Sequence, residues 1–212
     1  MKNSLIISAA FLIFPAVAAL AAGDPARGKT LIGACVACHQ EDGNGRDNGT
    51  ATDAWPRLAG MNAEYLAAQL AAYKKGERRA PSMKPFSMMM DEAKAADIAA
   101  YYATLPPKAP SANGTPPTAE MLARGKELAE AGDPNKKLSP CTECHGKDNR
   151  GDGKIPGIAG QPAPYLRAQI TAWQQGDRPN DSADPKGMFQ TARHLDDADS
   201  AAVAAWLSEQ AP

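Results

Sequence analysis

Two pentapeptides, Cys35-Val36-Ala37-Cys38-His39 and Cys141-Thr142-Glu143-Cys144-His145, hold all four cysteines of the 212-residue chain and two of its three histidines. Two thiols separated by two residues, followed at once by an imidazole, suit one chemistry: the sulfurs add across the vinyl groups of a porphyrin and the histidine coordinates its iron. The pattern is therefore read as the attachment site of a covalent haem c, occurring twice. A lone Cys-x-x-Cys could instead close as a redox disulfide or form half of a zinc site. Zinc would require the two pairs to converge from 106 positions apart. Thioredoxin-like chemistry would require a βαβ context, and the chain has no strand pattern.

The motifs sit inside an internal repeat. Ala26-Arg27-Gly28-Lys29 recurs as Ala123-Arg124-Gly125-Lys126. Pro56-x-x-Ala59-Gly60 recurs as Pro156-x-x-Ala159-Gly160, and Tyr65-Leu66-x-Ala68-Gln69 as Tyr165-Leu166-x-Ala168-Gln169. Gly76 and Arg78 return as Gly176 and Arg178, and Ile98-Ala99-Ala100-Tyr101 as Val203-Ala204-Ala205-Trp206. The repeat also helps to find a second axial ligand, which decides whether a haem carries electrons or binds a substrate. Candidates are Met83, Met88, Met89 and Met90 in the first half and Met188 and His194 in the second. Aligning Ile98 with Val203 places Met83 opposite Met188, the pairing that gives both copies the same ligand type. Met90 then faces Leu195 as a packing position, and Met89 faces His194 as the competing register. Met88 to Met90 are expected to fill core space, and His194 to be a surface or packing histidine. Histidine–methionine ligation leaves iron six-coordinate and raises its potential relative to two histidines, which suits outer-sphere electron transfer.

Three helical patterns per half must position these groups. The first opens at Asp24-Pro25, a cap residue followed by proline at the first helical position. The second follows Gly60 or Gly160, with Tyr65, Leu66, Gln69, Leu70 and Tyr73 at helical spacing. The third runs over 91–105 and 196–209. The class is all-α. Prolines crowd 106–118, so that segment reads as a stiff linker between domains at 22–105 and 119–212. Residues 1–21 carry a positive start, an apolar stretch and the small-residue site Ala19-Leu20-Ala21, the pattern of a secretory signal peptide cleaved near Ala21. The stretch is too short for a stable membrane span. Export agrees with covalent haem attachment, which takes place outside the cytoplasm; in a bacterium that means the periplasm.

The formal net charge is −1, with no long basic run, so a nucleic-acid partner is not expected. Aromatic residues make up only 6% of the chain. Such small domains have thin cores, and a buried porphyrin would fill the deficit.

With these motifs in tandem, the chain resembles the dihaem cytochrome c4 family, exported polypeptides built from two class I cytochrome c domains. The resemblance spans essentially the whole chain after the leader. It implies two covalently attached haem c groups, held by Cys35, Cys38, Cys141 and Cys144 and ligated by His39, Met83, His145 and Met188. It further implies that the Pro56 and Pro156 carbonyls accept a hydrogen bond from the axial histidines, and that Gly28 meets Tyr101 and Gly125 meets Trp206 where the first and last helices cross. Arg78 and Arg178 would either neutralise haem propionates or sit solvated at the surface. The implied function is a periplasmic one-electron carrier at each haem, not an enzyme. Its partners would be quinol-oxidising complexes or periplasmic dehydrogenases as donors and terminal oxidases or other reductases as acceptors, and peripheral membrane association is compatible with it. The alternative is a dedicated cytochrome subunit of an oxidoreductase such as a flavoprotein sulfide dehydrogenase; a dihaem peroxidase is less favoured. Three departures from strict repetition stand out. The second half has nine extra residues before its haem motif and five between Arg178 and Met188, whereas its His145-to-Pro156 loop is shorter than His39-to-Pro56.

Overall fold

The computed structural model describes residues 23–47, 54–109, 116–181 and 183–212. The expected leader and residues 110–115 of the expected linker lie outside the described residues. No strand occurs among the described residues, and three isolated bridges are the only extended pairings there. The all-α expectation holds, with two tandem helical halves.

The first half contains α1 (Pro25–Leu31), α2 (Val36–His39), α3 (Ala63–Lys75), α4 (Lys84–Met88) and α5 (Glu92–Thr104). The second contains α6 (Ala119–Ala131), α7 (Cys141–His145), α8 (Ala163–Gln174), α9 (Met188–Thr191) and α10 (Asp197–Ser208). The three main helices of each half fall where the capping residues and the apolar spacing predict. The short α4 and α9 do not appear in that pattern, because four or five residues give too little length for a period to show.

Local chemistry sets the helix ends. The Asp24 carboxylate accepts from the Ala26 and Arg27 amides, with Pro25 supplying a helical φ at a position that needs no donor. Asp91 and Asp196 cap α5 and α10 in the same way, accepting from the Lys94 and Asp199 amides at 2.8 Å. Gly76 ends α3 in the left-handed region at φ 81°, which glycine adopts without steric cost.

Each half is closed by its first and last helices crossing, α1 on α5 and α6 on α10. Glycine is required at both crossings. A Cβ on Gly28 would overlap the Asp97 carbonyl and press on Tyr101, and one on Gly125 would overlap the Ala202 carbonyl and press on Trp206. Beside each crossing an ion pair ties the helices together. Arg27 Nε donates to Asp97 at 2.8 Å in the first half, and Arg124 Nε to Asp199 at 3.0 Å in the second.

The nine extra residues of the second half explain a difference between the crossings. They form a turn through Pro134–Lys136, closed by a bridge between Asp133 and Leu138. That turn folds back on α10. Arg124 also binds Asp133 at 2.7 Å, and Lys136 reaches both Asp196 and Asp199.

The halves meet along a polar seam. The Gln161 side chain pairs with the backbone of Arg57 in both directions, accepting from the amide at 3.0 Å and donating to the carbonyl at 2.9 Å. Arg57 is itself buried and donates to the carbonyls of Ala59 in its own half and Ala159 in the other. The repeat places Gly157 opposite Arg57 and Met61 opposite Gln161, so this part of the seam is asymmetric.

Candidate functional site

Each Cys-x-x-Cys-His segment is a single helical turn, α2 or α7, and a turn of this length brings its two cysteines and its histidine together. Gly45 N donates to the His39 carbonyl at 3.0 Å and Gly151 N to that of His145 at 2.8 Å, so the following loops are anchored alike.

Both histidines are buried. Their Nδ1 atoms lie 3.0 Å from the Pro56 carbonyl oxygen and 2.8 Å from that of Pro156. A carbonyl can only accept, so Nδ1 carries the proton and Nε2 keeps its lone pair. The bond expected from the resemblance is thus present in both halves. Burial pushes both imidazoles below their ordinary pKa, against the opposing pull of the proline hydrogen bond. A neutral imidazole with one nitrogen fixed by a carbonyl is the form that ligates a metal.

A cavity of about 280 Å³ opens beside His39, lined by Cys35, Cys38, Met83, Tyr102 and the apolar faces of α3 and α5. In the second half, Cys141 and Met188 pack on one cluster with Leu166, Ile170 and Trp173. Several buried N–H groups have no partner among the described residues, among them Trp55 Nε1, which lines this cavity, and Trp173 Nε1 and Arg178 Nε in the second half. An unused donor on an apolar cleft fits a large flat group that brings acceptor oxygens of its own, as haem does.

The rival readings of the cysteines fare worse. A reactive redox pair needs a lowered thiol pKa. Here burial raises Cys35, and it raises Cys141 to about 11. Among the described residues, no group of three or more His, Cys, Asp or Glu side chains is placed to hold a bare metal ion.

The methionines divide in a way the sequence did not reveal. Met83 reaches the cavity, Ser87 is buried, and Met90 packs against the first core, an i, i+4, i+7 series along one side of α4 and its flanks. Met88 and Met89 fall on the opposite side, 54% and 66% exposed, so the expectation that they fill the core is corrected. Leu195 is buried opposite Met90 in the repeat, as a packing position should be. His194 is exposed on the turn Ala192–His194.

Arg78 and Arg178 are not solvated surface residues. They are only 4% and 3% exposed, and they meet over Gln69 of α3 and Gln169 of α8. Arg78 donates to Gln69 Oε1 at 2.9 Å, to Gln169 Oε1 at 2.6 Å and to the Tyr165 hydroxyl at 3.0 Å. Arg178 donates to Gln169 Oε1 at 2.9 Å and to Gln69 Oε1 at 3.1 Å. Each guanidinium also lies over an aromatic ring, Arg78 over Tyr73 and Arg178 over Trp173, at 4.7 and 3.9 Å from the centroid. Burial, with the facing Arg78 charge, holds Arg178 below its ordinary pKa. Burial alone would raise Tyr65, but the two guanidinium charges bring it below its ordinary value. Among the described residues no carboxylate forms an ion pair with either arginine. Cation–π contact offers about 0.5–2 kcal/mol, against several kcal/mol for withdrawing each ion from water, so the pair is short of negative charge. Gln69, Gln169 and Tyr165 were legible only as a repeated Tyr-Leu-x-x-Gln pattern, whose i, i+4 spacing puts tyrosine and glutamine on one helical face.

Comparison with known proteins agrees with this geometry. The sequence model of the family described as Cytochrome c matches residues 25–106 and 122–211. The chain is 38% identical over 181 residues to a "Thiosulfate dehydrogenase electron acceptor" of Thiomonas intermedia, covering 83% of this chain and 78% of that protein. It is 35% identical over 192 residues to a "Cytochrome c4" of Thiocapsa roseopersicina, covering 87% of this chain and 92% of that one. The fold superposes on the crystal structure of reduced recombinant cytochrome c4 from Pseudomonas stutzeri with a TM-score of 0.78 at 26% identity, covering 89% of this chain and all of that chain.

Proposed function

This chain belongs to the cytochrome c family and, within it, to the dihaem cytochromes c4 with two covalent haem c groups; from that premise we propose that it is an exported one-electron carrier with histidine–methionine ligation at both sites. Haem, when bound, supplies a ferric–ferrous couple in each half. The remaining work is done by the protein. Cys35, Cys38, Cys141 and Cys144 tether the cofactor. His39 and His145 would ligate through Nε2, with Nδ1 held by proline, and Met83 and Met188 would supply sulfur as the second ligand.

The observation that carries this reading is the duplicated histidine–proline bond, at 3.0 and 2.8 Å, next to each cysteine pair. It orients one imidazole per half for ligation and is indifferent to any substrate. A filled coordination shell with little rearrangement suits electron transfer and disfavours peroxide chemistry. We place the protein in the periplasm, because the leader pattern and covalent haem attachment both call for export. No helix among the described residues is long and apolar enough to cross a membrane.

For the donor, the relative named as the electron acceptor of a thiosulfate dehydrogenase favours an enzyme that oxidises thiosulfate over the flavoprotein sulfide dehydrogenase suggested by resemblance alone. The test is stopped-flow mixing of the oxidised holoprotein with a thiosulfate dehydrogenase and thiosulfate. Both haems should become reduced at a rate that grows with cytochrome concentration. Reduction by a quinol-oxidising complex, with none by the dehydrogenase, would assign the protein to the respiratory chain instead.

A further inference from the structure

Met83 and Met188 are carried by short segments, and a side chain on a short segment is only as fixed as the ties that hold the backbone. In the first half both ends of 83–90 are bound to the last turn of α3. Lys84 follows Met83 directly, and its Nζ donates to the Tyr73 carbonyl at 3.2 Å and the Lys74 carbonyl at 2.8 Å. Carbonyls in a last helical turn are short of partners, and lysine is a common donor to them. Lys74 Nζ reaches back from α3 and donates to the Met90 carbonyl at 2.5 Å.

The second half makes one of these ties with a different residue. Gln174 occupies the place in α8 that Lys74 occupies in α3, 100 positions on, as Tyr165 does for Tyr65. Its Nε2 donates to the Ala192 carbonyl at 2.9 Å and the Leu195 carbonyl at 2.8 Å. Leu195 is the counterpart of Met90, 105 positions on. The same carbonyl is thus held from the same helical position, by an ammonium in one half and an amide in the other. Lys84 has no such equivalent, because Phe189 stands in its place and has no side-chain donor. Lys74, Lys84 and Gln174 are all exposed, and each of these bonds goes to backbone.

We infer that Lys74 and Gln174 are equivalent positioning residues for the axial methionines, each latching the segment that carries the ligand of its half, and that Lys84 is a second latch in the first half alone. The inference rests on histidine–methionine ligation as proposed above. A methionine sulfur can leave its iron only when its segment moves off the pocket wall, and each tie to α3 or α8 opposes that movement. Removing a latch therefore frees the methionine of its own half and leaves the other undisturbed.

The test is cyanide binding to the ferric holoprotein, followed by stopped-flow spectroscopy, because cyanide takes the methionine's place only once the sulfur has left. The Met83→Ala and Met188→Ala proteins identify which kinetic phase belongs to which haem. K74M and K84M remove a donor and keep side-chain length; each should speed the first-half phase about five- to tenfold and leave the second-half phase unchanged. Q174M should do the reverse. K74R and Q174K keep a donor and should stay near the unsubstituted rates. K74M and Q174M suffice if K84M does not accumulate. Unchanged phases in both of those variants overturn the inference. So does an equal gain in both phases with a lowered unfolding temperature, which marks a general loosening of the fold. A high-spin ferric spectrum in the unsubstituted protein would strike the ligation reading instead, so the two failures are distinguishable.

Discussion

A methionine's role in this chain is decided by which side of a short helix it occupies. Met83 stands just before α4 and lines the first cavity, and Met188 opens α9 against the second core. Met88 and Met89 point to solvent. Replacing Met83 or Met188 by alanine should turn one haem high-spin and lower its potential, visible in the ferric optical spectrum and a redox titration. Replacing Met88 or Met89 should leave both spectra unchanged. The cysteines, the histidines and the paired prolines were legible in the sequence because attachment chemistry fixes residue type and spacing together. The split among the methionines was not, because α4 is too short to impose a readable period and four methionines lie within eight residues.

At the scale of elements, each half depends on a close helix crossing and on the charges beside it. Gly28→Ala and Gly125→Ala would each force a methyl group into a backbone carbonyl. Each should cost about 1–3 kcal/mol, measured as a lower unfolding temperature with the haems still attached. Acid should weaken the second crossing. Hydrogen bonds from Arg124 and Lys136 hold Asp133 and Asp196 below the usual carboxylate range. Burial alone would raise Asp199, but its bonds to the same two cations more than reverse that. A carboxylate whose native pKa is depressed stabilises the fold fully above its unfolded value, about 4, and loses that contribution as pH falls through the lower native values. The unfolding temperature should therefore be level from neutral pH to about 5 and fall below about 4, less steeply in Arg124→Gln. The repeat and the capping residues made the long helices legible. The turn at Pro134–Lys136 was visible only as extra length, since nothing in its sequence says that it folds back onto α10.

For the whole molecule, docking of the halves is polar and specific. Gln161 satisfies both backbone groups of Arg57 in a buried seam, so Gln161→Ala leaves a donor and an acceptor unpaired, each costing about 1–3 kcal/mol. Faster hydrogen exchange in α3 and α8, with unchanged haem spectra, is the expected result. This seam was the least legible part of the chain. Arg57 and Gln161 stand opposite residues of another type in the repeat, Gly157 and Met61, and Arg78 and Arg178 read nearly as well as surface residues until burial places them between the halves. The central claim is that both halves carry a six-coordinate haem that exchanges single electrons. The direct measurement is a spectroelectrochemical titration of the exported holoprotein with haem quantified per polypeptide. It should return two haems per chain, both low-spin in either oxidation state, and two one-electron waves. One haem per chain, or a high-spin ferric fraction that binds peroxide or cyanide as readily as an open site, would contradict it.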